Sequence, residues 1–475
     1  MDRDFLTRFL ELMSSRITDS DLELIKLGNS LGMDLVSFEQ LRASQEDEFI
    51  DNIRKQALEK MRTNSDNSLP NNNYFYSGSI DFMVSDEPEG KKFFLLETNG
   101  GSHRGLSIIT KKQQVLLYNG YLEAIYQAIN KKNQILIIIG VPINDALIHE
   151  KVIMIEYFRK TLKSKGYKVK IFNKDNFDIN FRAEILFLIA DYKQLSASLS
   201  YSGGWIRYKG ENVSLLIGDG IARRLNDVEF DTQVKRDIGK IKTLIVNPIF
   251  RITDDKSLTY LASSLCKKIL EEYRLKYLLF TKAFDELDLI QKLKYLIKTY
   301  NKSFIIKPSG GSGGAGVIPV SKDENPNNFS RIINASKNEF FAKFMKNRDP
   351  FPYTIQEKAN FSLIDWKGGA HTFDLRIYLA QNNGLVIPVG GLARIARGNF
   401  TLGRDKQEFV VNLSGYNGQI EVERGIGFSK RNCKLLNLSE KDFVNMFCIG
   451  CVLFTNIVKN YSKIINFSKW DKIIE

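Results

Sequence analysis

The period of hydrophobic positions changes along this chain, and the changes mark its parts. Over residues 1–65 apolar side chains recur at three and four (Phe5, Phe9, Leu12; Ile50, Ile53, Ala57, Met61) amid dense charge, which predicts helices. Ser65–Asn73 is polar, Asn-rich and contains a proline, so it reads as a loop. From Tyr74 the period becomes two. Gly78–Val84 and Lys92–Thr98 predict strands, with Ser85–Gly90 as the turn of a hairpin. A helix near 108–130 follows, then a buried strand at Gln134–Gly140, a helix over His149–Lys165 stopped by Gly166, and a strand at Tyr167–Phe172. The strand–helix rhythm continues through Ile185–Ala190, Ser214–Gly218 and Lys242–Val246, predicting an α/β lobe with a mostly parallel sheet. Residues 257–273 and 283–300 predict helices. Phe304–Lys307, Val317–Val320, Tyr353–Gln356, Asp374–Ala380, Gly384–Val389 and Phe409–Val411 predict strands of an α+β region, and Ser439–Tyr461 predicts one apolar helix.

Composition narrows the class. At 475 residues and 43% hydrophobic, the chain has room for two to four domains and excludes both wholesale disorder and a disulfide-stapled scaffold. Its net charge of +13 favours an anionic partner, or else describes a lysine-rich solvated surface. Four cysteines (Cys266, Cys433, Cys448, Cys451) make no disulfide framework and suit a reducing compartment. Cys448 and Cys451 have CxxC spacing inside an apolar run, which reads as buried packing rather than a metal or redox pair. Three scattered histidines (His103, His149, His371) do not make a zinc site. The charged opening Met-Asp-Arg-Asp-Phe is unlike a signal peptide, and neither Ile135–Gly140 nor the stretch near Phe447–Val458 approaches the roughly 20 apolar residues of a membrane span. A cytoplasmic protein without membrane or nucleic-acid partners is expected.

Candidate chemistry begins with Phe304-Ile-Ile-Lys-Pro-Ser-Gly-Gly-Ser-Gly-Gly-Ala-Gly-Val317. Five of the seven residues Gly310–Gly316 are glycine, so backbone N–H groups can approach phosphate oxygens closely, and Lys307 adds a point charge for the same anion. Gly311, Gly313 and Gly316 spell GxGxxG, but a strand-like Val-Ile-Pro-Val follows where a dinucleotide fold needs a helix. The Gly-Lys-Ser/Thr of a Walker A loop is absent, and so are the kinase motifs. A plain flexible hairpin tip is the other reading. A second candidate set is all-oxygen. Asp81 lies mid-strand, and Glu97 and Asn99, two apart, project together from the partner strand. Such a set suits Mg²⁺, which takes few protein ligands and completes its shell with water and phosphate. An exposed edge strand with polar alternation is the alternative.

Taken in order, these pieces resemble the ATP-grasp superfamily, and specifically its circularly permuted branch of glutathione synthetase and glutathionylspermidine synthetase type. The order is Asp255-Lys256, Thr281 at a strand end, Lys307-Pro308, Gly310–Gly316, Ile355-Gln-Glu-Lys358, Phe373-Asp-Leu-Arg376, Gly390-Gly-Leu-Ala-Arg394-Ile-Ala-Arg397 and Val411-Asn-Leu-Ser414. The magnesium hairpin that usually closes this series stands at the front instead, as Gly78-Ser-Ile-Asp81 and Leu95-Leu-Glu97-Thr-Asn99. The resemblance covers about residues 74–418, and Trp366–His371 departs from the glutathione enzymes. It implies a helical segment (1–73), the hairpin and helix of the grasp core (74–133), a Rossmann-like α/β substrate lobe (134–250), a small lobe with the glycine loop (251–360), a large lobe (361–435) and a C-terminal helix (436–475).

The resemblance implies an ATP- and Mg²⁺-dependent ligase that joins a carboxylate to an amine through an acyl phosphate, releasing ADP and phosphate. Lys256, Lys307 and the loop residues Gly310, Gly311, Ser312, Gly313, Gly314 and Gly316 would hold the phosphates. Gln356, Glu357 and Lys358 would form the hinge against adenine and ribose, and Asp81, Glu97 and Asn99 would bind Mg²⁺. Arg376 and Arg394, with Arg397 and Asn412 behind them, would stabilise the transferred phosphoryl group or the substrate carboxylate, unless Arg394 and Arg397 belong to a solvated loop. Asp374 would either orient Arg376 or bind ribose. Arg104, Arg207, Arg223 and Arg224 are candidates for a second carboxylate of an amino-acid or peptide-like donor. A homodimer is compatible with the sequence. Two rival readings remain: a phosphotransferase of the same fold, and a nucleotide- or nucleic-acid-binding protein with a vestigial site.

Overall fold

The computed structural model describes residues 40–64, 67–70, 75–100, 105–130, 134–141, 148–173, 177–180, 182–191, 195, 198–217, 241–247, 249–253, 255–309, 314–344, 349–403, 405–413 and 421–466. The first helices expected around Phe5, Phe9 and Leu12 lie outside them. In chain order the elements used below are α1 (Asp47–Asn64), β1 (Ser77–Glu87), β2 (Gly90–Asn99), α2 (Lys111–Ile129), β3 (Ile135–Val141), α3 (Ile148–Ser164), β4 (Val169–Asn173) and β5 (Ile185–Asp191). Three short strands follow, β6 (Leu199–Ser202), β7 (Trp205–Tyr208) and β8 (Glu211–Asn212), then β9 (Leu215–Ile217), β10 (Leu244–Val246), α4 (Lys256–Ser264), β11 (Phe280–Ala283), α5 (Glu286–Tyr300), β12 (Phe304–Lys307) and β13 (Ile318–Val320). The last are α6 (Phe329–Phe344), β14 (Tyr353–Glu357), β15 (Leu363–Trp366), β16 (Gly369–Asn382), β17 (Leu385–Ile395), β18 (Gly425–Gly427) and α7 (Glu440–Lys459).

The central sheet is antiparallel, in the order β18-β17-β16-β1-β2, with β15 pairing β16. The hairpin β1–β2 therefore joins a strand almost 300 residues later, with Asp81 opposite Arg376. Alternation gives this sheet two unlike faces. Ile80, Phe82, Val84, Leu375, Ile377, Leu379, Ala393 and Ile395 point to one side and share a core with α1 and α7. Ser79, Asp81, Asp374, Arg376, Tyr378 and Arg394 occupy the other side. At one end of that second face, Tyr378 and Ala380 pack against α2 in the core that also holds the α/β region.

The α/β region is a five-stranded sheet in the order β10-β9-β3-β5-β4, parallel throughout. The strand–helix rhythm of the sequence thus becomes the parallel sheet it predicts. A further sheet, β11-β14-β12-β13, is antiparallel. Ala283, Ile306, Tyr353 and Ile355 on its outer face pack with Leu289, Leu293 and Leu296 of α5 and Phe329 and Ile333 of α6.

Three elements differ from expectation. The helix expected over 257–273 is broken after Ser264, where the Ser263 and Ser264 hydroxyls bond back to the carbonyls of Tyr260 (2.6 Å) and Leu261 (2.7 Å), a pattern that bends helices. Phe409–Val411 is not a strand: the N–H groups of Phe409 and Val410 turn back to the Lys406 carbonyl, so no ladder forms. β17 runs on to Ile395 because β16 is long enough to pair it that far, which places Arg394 on a strand rather than in a loop. Helix α7 is 20 residues long and apolar enough to cross a membrane by length and composition, but most of it is buried inside the molecule. Ser439 and Asp442 form a capping box at its start. Cys448 and Cys451 are buried along it, and burial pushes the Cys448 thiol up to about 12, as packing cysteines require.

Candidate active site

Cross-strand register builds the first part of the site. Asp81 stands opposite Arg376, and Asp374 opposite Arg394. The Arg376 guanidinium grips Asp81 with two bonds, Nε to Oδ1 at 2.8 Å and Nη2 to Oδ2 at 2.6 Å. Arg394 donates from Nη2 to Asp81 Oδ2 at 2.8 Å and from Nε to Asp374 Oδ1 at 2.8 Å, and its Nη2 also reaches Asp374 Oδ2. Asp81 and Asp374 are each 1% exposed. Burial opposes charge on Asp81, but the Arg376 and Arg394 guanidiniums outweigh it and hold the carboxyl well below the usual range. Burial raises Asp374 above the usual range, with Arg394 working against it and the Asp81 charge reinforcing it.

This ladder changes the reading of two residues. Asp81, expected to share Mg²⁺ with Glu97 and Asn99, has both carboxylate oxygens taken by guanidiniums, because register sets Arg376 directly across from it. Asp374 orients Arg394 rather than Arg376. Among the described residues no three His, Cys, Asp or Glu side chains gather as a metal cluster. Glu97 and Asn99 remain on the same face of β2, opposite Asp81 and Ser79. Among the described residues the Asn99 Nδ2 is buried with no partner, and turning the amide over puts its oxygen in that place. An orphaned amide beside a carboxylate fits Mg²⁺, which needs only one or two protein oxygens beside phosphate and water.

The second part of the site is the inner face of the sheet β11-β14-β12. Lys307 ends β12 opposite Thr354, and its Nζ donates to Gln356 Oε1 at 2.6 Å. The ammonium is 7% exposed. Burial, with the nearby charge of Lys256, brings it down to about 8, although Glu97 pulls the other way. Asp255 caps α4 through the N–H groups of Ser257 (2.8 Å) and Leu258 (3.2 Å), so Lys256 occupies the first helical position. Lys256 Nζ lies 3.4 Å from Glu97 Oε2. That contact joins the lysine face to the carboxylate hairpin.

The described part of the glycine loop needs its glycines. Gly314 and Gly316 have φ of +74° and +72°; a Cβ on Gly314 would meet Val410 at 2.9 Å, and one on Gly316 the Ser336 carbonyl at 2.9 Å. Gly310, Gly311, Ser312 and Gly313 lie outside the described residues, as do Arg104, Arg223 and Arg224.

Other expected residues are placed nearby with partners of their own. Glu357 pairs with Lys302 at 2.7 Å and accepts the Leu279 N–H at 3.1 Å. Lys358 Nζ donates to the carbonyls of Leu402 (2.9 Å) and Gly403 (2.8 Å), tying the end of β14 to the 401–403 loop. Arg397 forms a separate cluster with Glu421, which Arg424 shares, and the Asn412 carbonyl accepts from Arg424 at 2.5 Å. Arg207 sits on β7 in the small three-stranded sheet.

Two residues not among the site candidates read from the sequence belong to the architecture of the site. Asn247 accepts the Tyr76 N–H at 2.6 Å and donates to the Ser77 carbonyl at 2.6 Å and to the Gly100 carbonyl, pinning the start of β1 to the end of β2. Lys282 faces inward from β11; the alternation Phe280-Thr-Lys-Ala was the only signal for it.

No family model and no curated protein matches the chain. Among solved structures, a protein assigned as a gamma-glutamylcysteine synthetase from Methylobacillus flagellatus overlaps 90% of this chain and 96% of its own, at 13% identity and a TM-score of 0.44. A glutathione synthetase-like effector from Globodera pallida overlaps 77% of this chain and 83% of its own, at 14% identity and a TM-score of 0.38. D-alanyl-alanine synthetase A from Vibrio cholerae overlaps 72% and 83%, at 11% identity and a TM-score of 0.36.

Proposed function

We propose that this chain is an ATP-dependent carboxylate–amine ligase of circularly permuted ATP-grasp type, acting on amino-acid or peptide-like small molecules. The observation that carries the reading is the 3.4 Å approach of Lys256 to Glu97. It brings the lysine face, suited to a triphosphate, against the hairpin whose oxygens suit Mg²⁺. The arginine ladder lies on the next strands. The pairing of the early hairpin with β16 supports the permuted order, and the parallel β3–β10 sheet supports a substrate lobe.

Lys256 and Lys307 would bind the phosphates, with Gly314 and Gly316 shaping the loop over them. Gln356 accepts from Lys307 and so orients its ammonium toward the chain of phosphates. Glu357 and Lys358 bear on the nucleotide by fixing the end of β14. Glu97 and Asn99 would hold Mg²⁺, which when bound neutralises charge on the phosphate oxygens. Arg376 and Arg394, locked by Asp81 and Asp374, would meet the transferred phosphoryl group and the tetrahedral oxyanion with donors that need no rearrangement. A carboxylate is a poor acceptor for an amine, and phosphorylation supplies the leaving group. The free cysteines suit a reducing compartment such as the cytoplasm.

The test is incubation with ATP, Mg²⁺ and pools of amino acids and amines. ADP and phosphate should appear only with a matched pair, with a product lighter by one water than the pair's sum. Hydroxylamine should trap the donor as a hydroxamate. Glu97→Gln should abolish turnover with the fold intact. Release of AMP and pyrophosphate would replace the acyl phosphate with an adenylate and overturn the mechanism.

A further inference from the structure

Lys282 is a buried charge that the contacts around it leave short of partners. Its strand β11 pairs with β14 so that Lys282 stands opposite Thr354, and on the other side of Thr354 stands Lys307. Residues in one cross-strand row share a face, so Lys282 and Lys307 project together, away from α5 and α6. The residue is 4% exposed. Among the described residues the carboxylate within 4 Å of its Nζ is Asp255, with Oδ2 at 3.7 Å. That exceeds hydrogen-bond length, and Asp255 Oδ1 is already committed to capping α4. Among the described residues the Lys282 Nζ makes no hydrogen bond, although it carries three N–H donors. The Phe284 ring lies 6.0 Å away.

Burying an ammonium this way is costly unless something anionic completes it. The neighbouring side chains supply too little. Among the described residues the carboxylate beside Lys282 is Asp255 and the one acting on Lys307 is Glu97, which is also the one suited to Mg²⁺.

We infer that Lys282 is a third lysine for the phosphate chain of ATP, binding beside Lys307 across Thr354. The inference rests on the ATP-dependent reading above and names one more residue of that site. An ammonium aimed at the phosphates discriminates nucleotides by charge, so it favours ATP over AMP and leaves adenosine binding unaffected.

The competing role is structural: Lys282 would serve only to steady Asp255 and thereby the start of α4. Calorimetric titration of ATP, AMP and adenosine into the wild type, Lys282→Met and Asp255→Asn separates the two. Asparagine caps a helix as aspartate does, so that variant removes the ion pair and keeps the cap. The expected result is about a tenfold or greater loss of ATP affinity in Lys282→Met, with AMP and adenosine affinities unchanged, and unchanged or tighter ATP binding in Asp255→Asn. If Lys282→Met binds ATP as the wild type does, or loses ATP and adenosine alike, the inference is overturned. Equal ATP losses in Lys282→Met and Asp255→Asn would overturn it too. Should Lys282→Met not fold, the Asp255→Asn titration still decides between the roles. Failure of the wild type to bind ATP would overturn the ligase reading itself, whereas ATP binding lost in Lys307→Met but kept in Lys282→Met would overturn only the present inference.

Discussion

Two groups of buried charge meet at Glu97, and they are balanced in opposite ways. On the central sheet, Arg376 and Arg394 are matched by Asp81 and Asp374, with every carboxylate oxygen in a guanidinium bond. On the small sheet, Lys282 and Lys307 share a face, with Asp255 beside the first and Glu97 acting on the second. Lys307 donates to the Gln356 amide, whereas among the described residues the Lys282 Nζ makes no hydrogen bond and lies 3.7 Å from Asp255. The first group is complete without a ligand and holds rigid donors in place. The second, under the proposed function, is where an anion would add the missing negative charge. A site that transfers phosphoryl groups needs both: fixed donors where charge develops, and unspent cations where the nucleotide docks.

The sharpest way to break this contrast is to remove one member from each group and compare stability. Asp81→Ala leaves two buried guanidiniums short of a partner and should cost about 3–5 kcal/mol in urea unfolding. Lys307→Met removes a charge the fold tolerates poorly and should leave stability unchanged or raised. If Lys307→Met were the more damaging of the two, the lysine face would be structural and the contrast would collapse.

Nucleotide affinity sharpens it next. Lys307→Met should weaken ATP binding by roughly 1.5–3 kcal/mol, the worth of one charge-assisted contact, by calorimetry. Unchanged affinity would take Lys307 out of the site.

The smallest effect is in pH. Lys307 in the folded protein releases its proton near pH 8, whereas an unfolded lysine does so near 10.5. Between those values the unfolded chain binds more protons, so this group makes stability rise with pH across that window. ATP affinity should move the other way, falling severalfold, on the order of one pH unit's worth of charge, as pH passes above about 8. Both slopes should flatten in Lys307→Met. Persistence of the affinity slope in that variant would assign it to another group.

Local runs of sequence made part of this site legible. Lys307 and the glycines after it stand in one continuous stretch, and Gly314 and Gly316 hold backbone angles that only glycine adopts readily. The hairpin of β1 and β2 was equally plain from its period of two. The ladder was not, because it depends on which residues of β1, β16 and β17 stand opposite one another. Asp81 alone in an apolar strand reads as a metal ligand; only the register with Arg376, 295 residues away, makes it a guanidinium partner. Arg394 was open to a loop reading because the length of β17 is set by β16 and not by its own residues. Lys282 was hidden by a four-residue strand too short for its alternation to stand out. Asn247 acts through an amide that reaches three segments of the chain, which no spacing announces.

The union of β1 with β16 also has a bearing on how this molecule is made. During synthesis the hairpin emerges long before β16, and nearly 300 residues of α/β and small-sheet structure must be produced in between. Its apolar face, Ile80, Phe82 and Val84, has α1 available early, but the rest of its cover waits for β16 and then α7. Contacts so distant in sequence close slowly and leave strand edges open to wrong pairing meanwhile. The parallel sheet, whose strands all fall within 135–246, has no such wait. The chain therefore closes its central sheet last, after the parallel sheet is able to form, and until then the hairpin edge is open to wrong pairing.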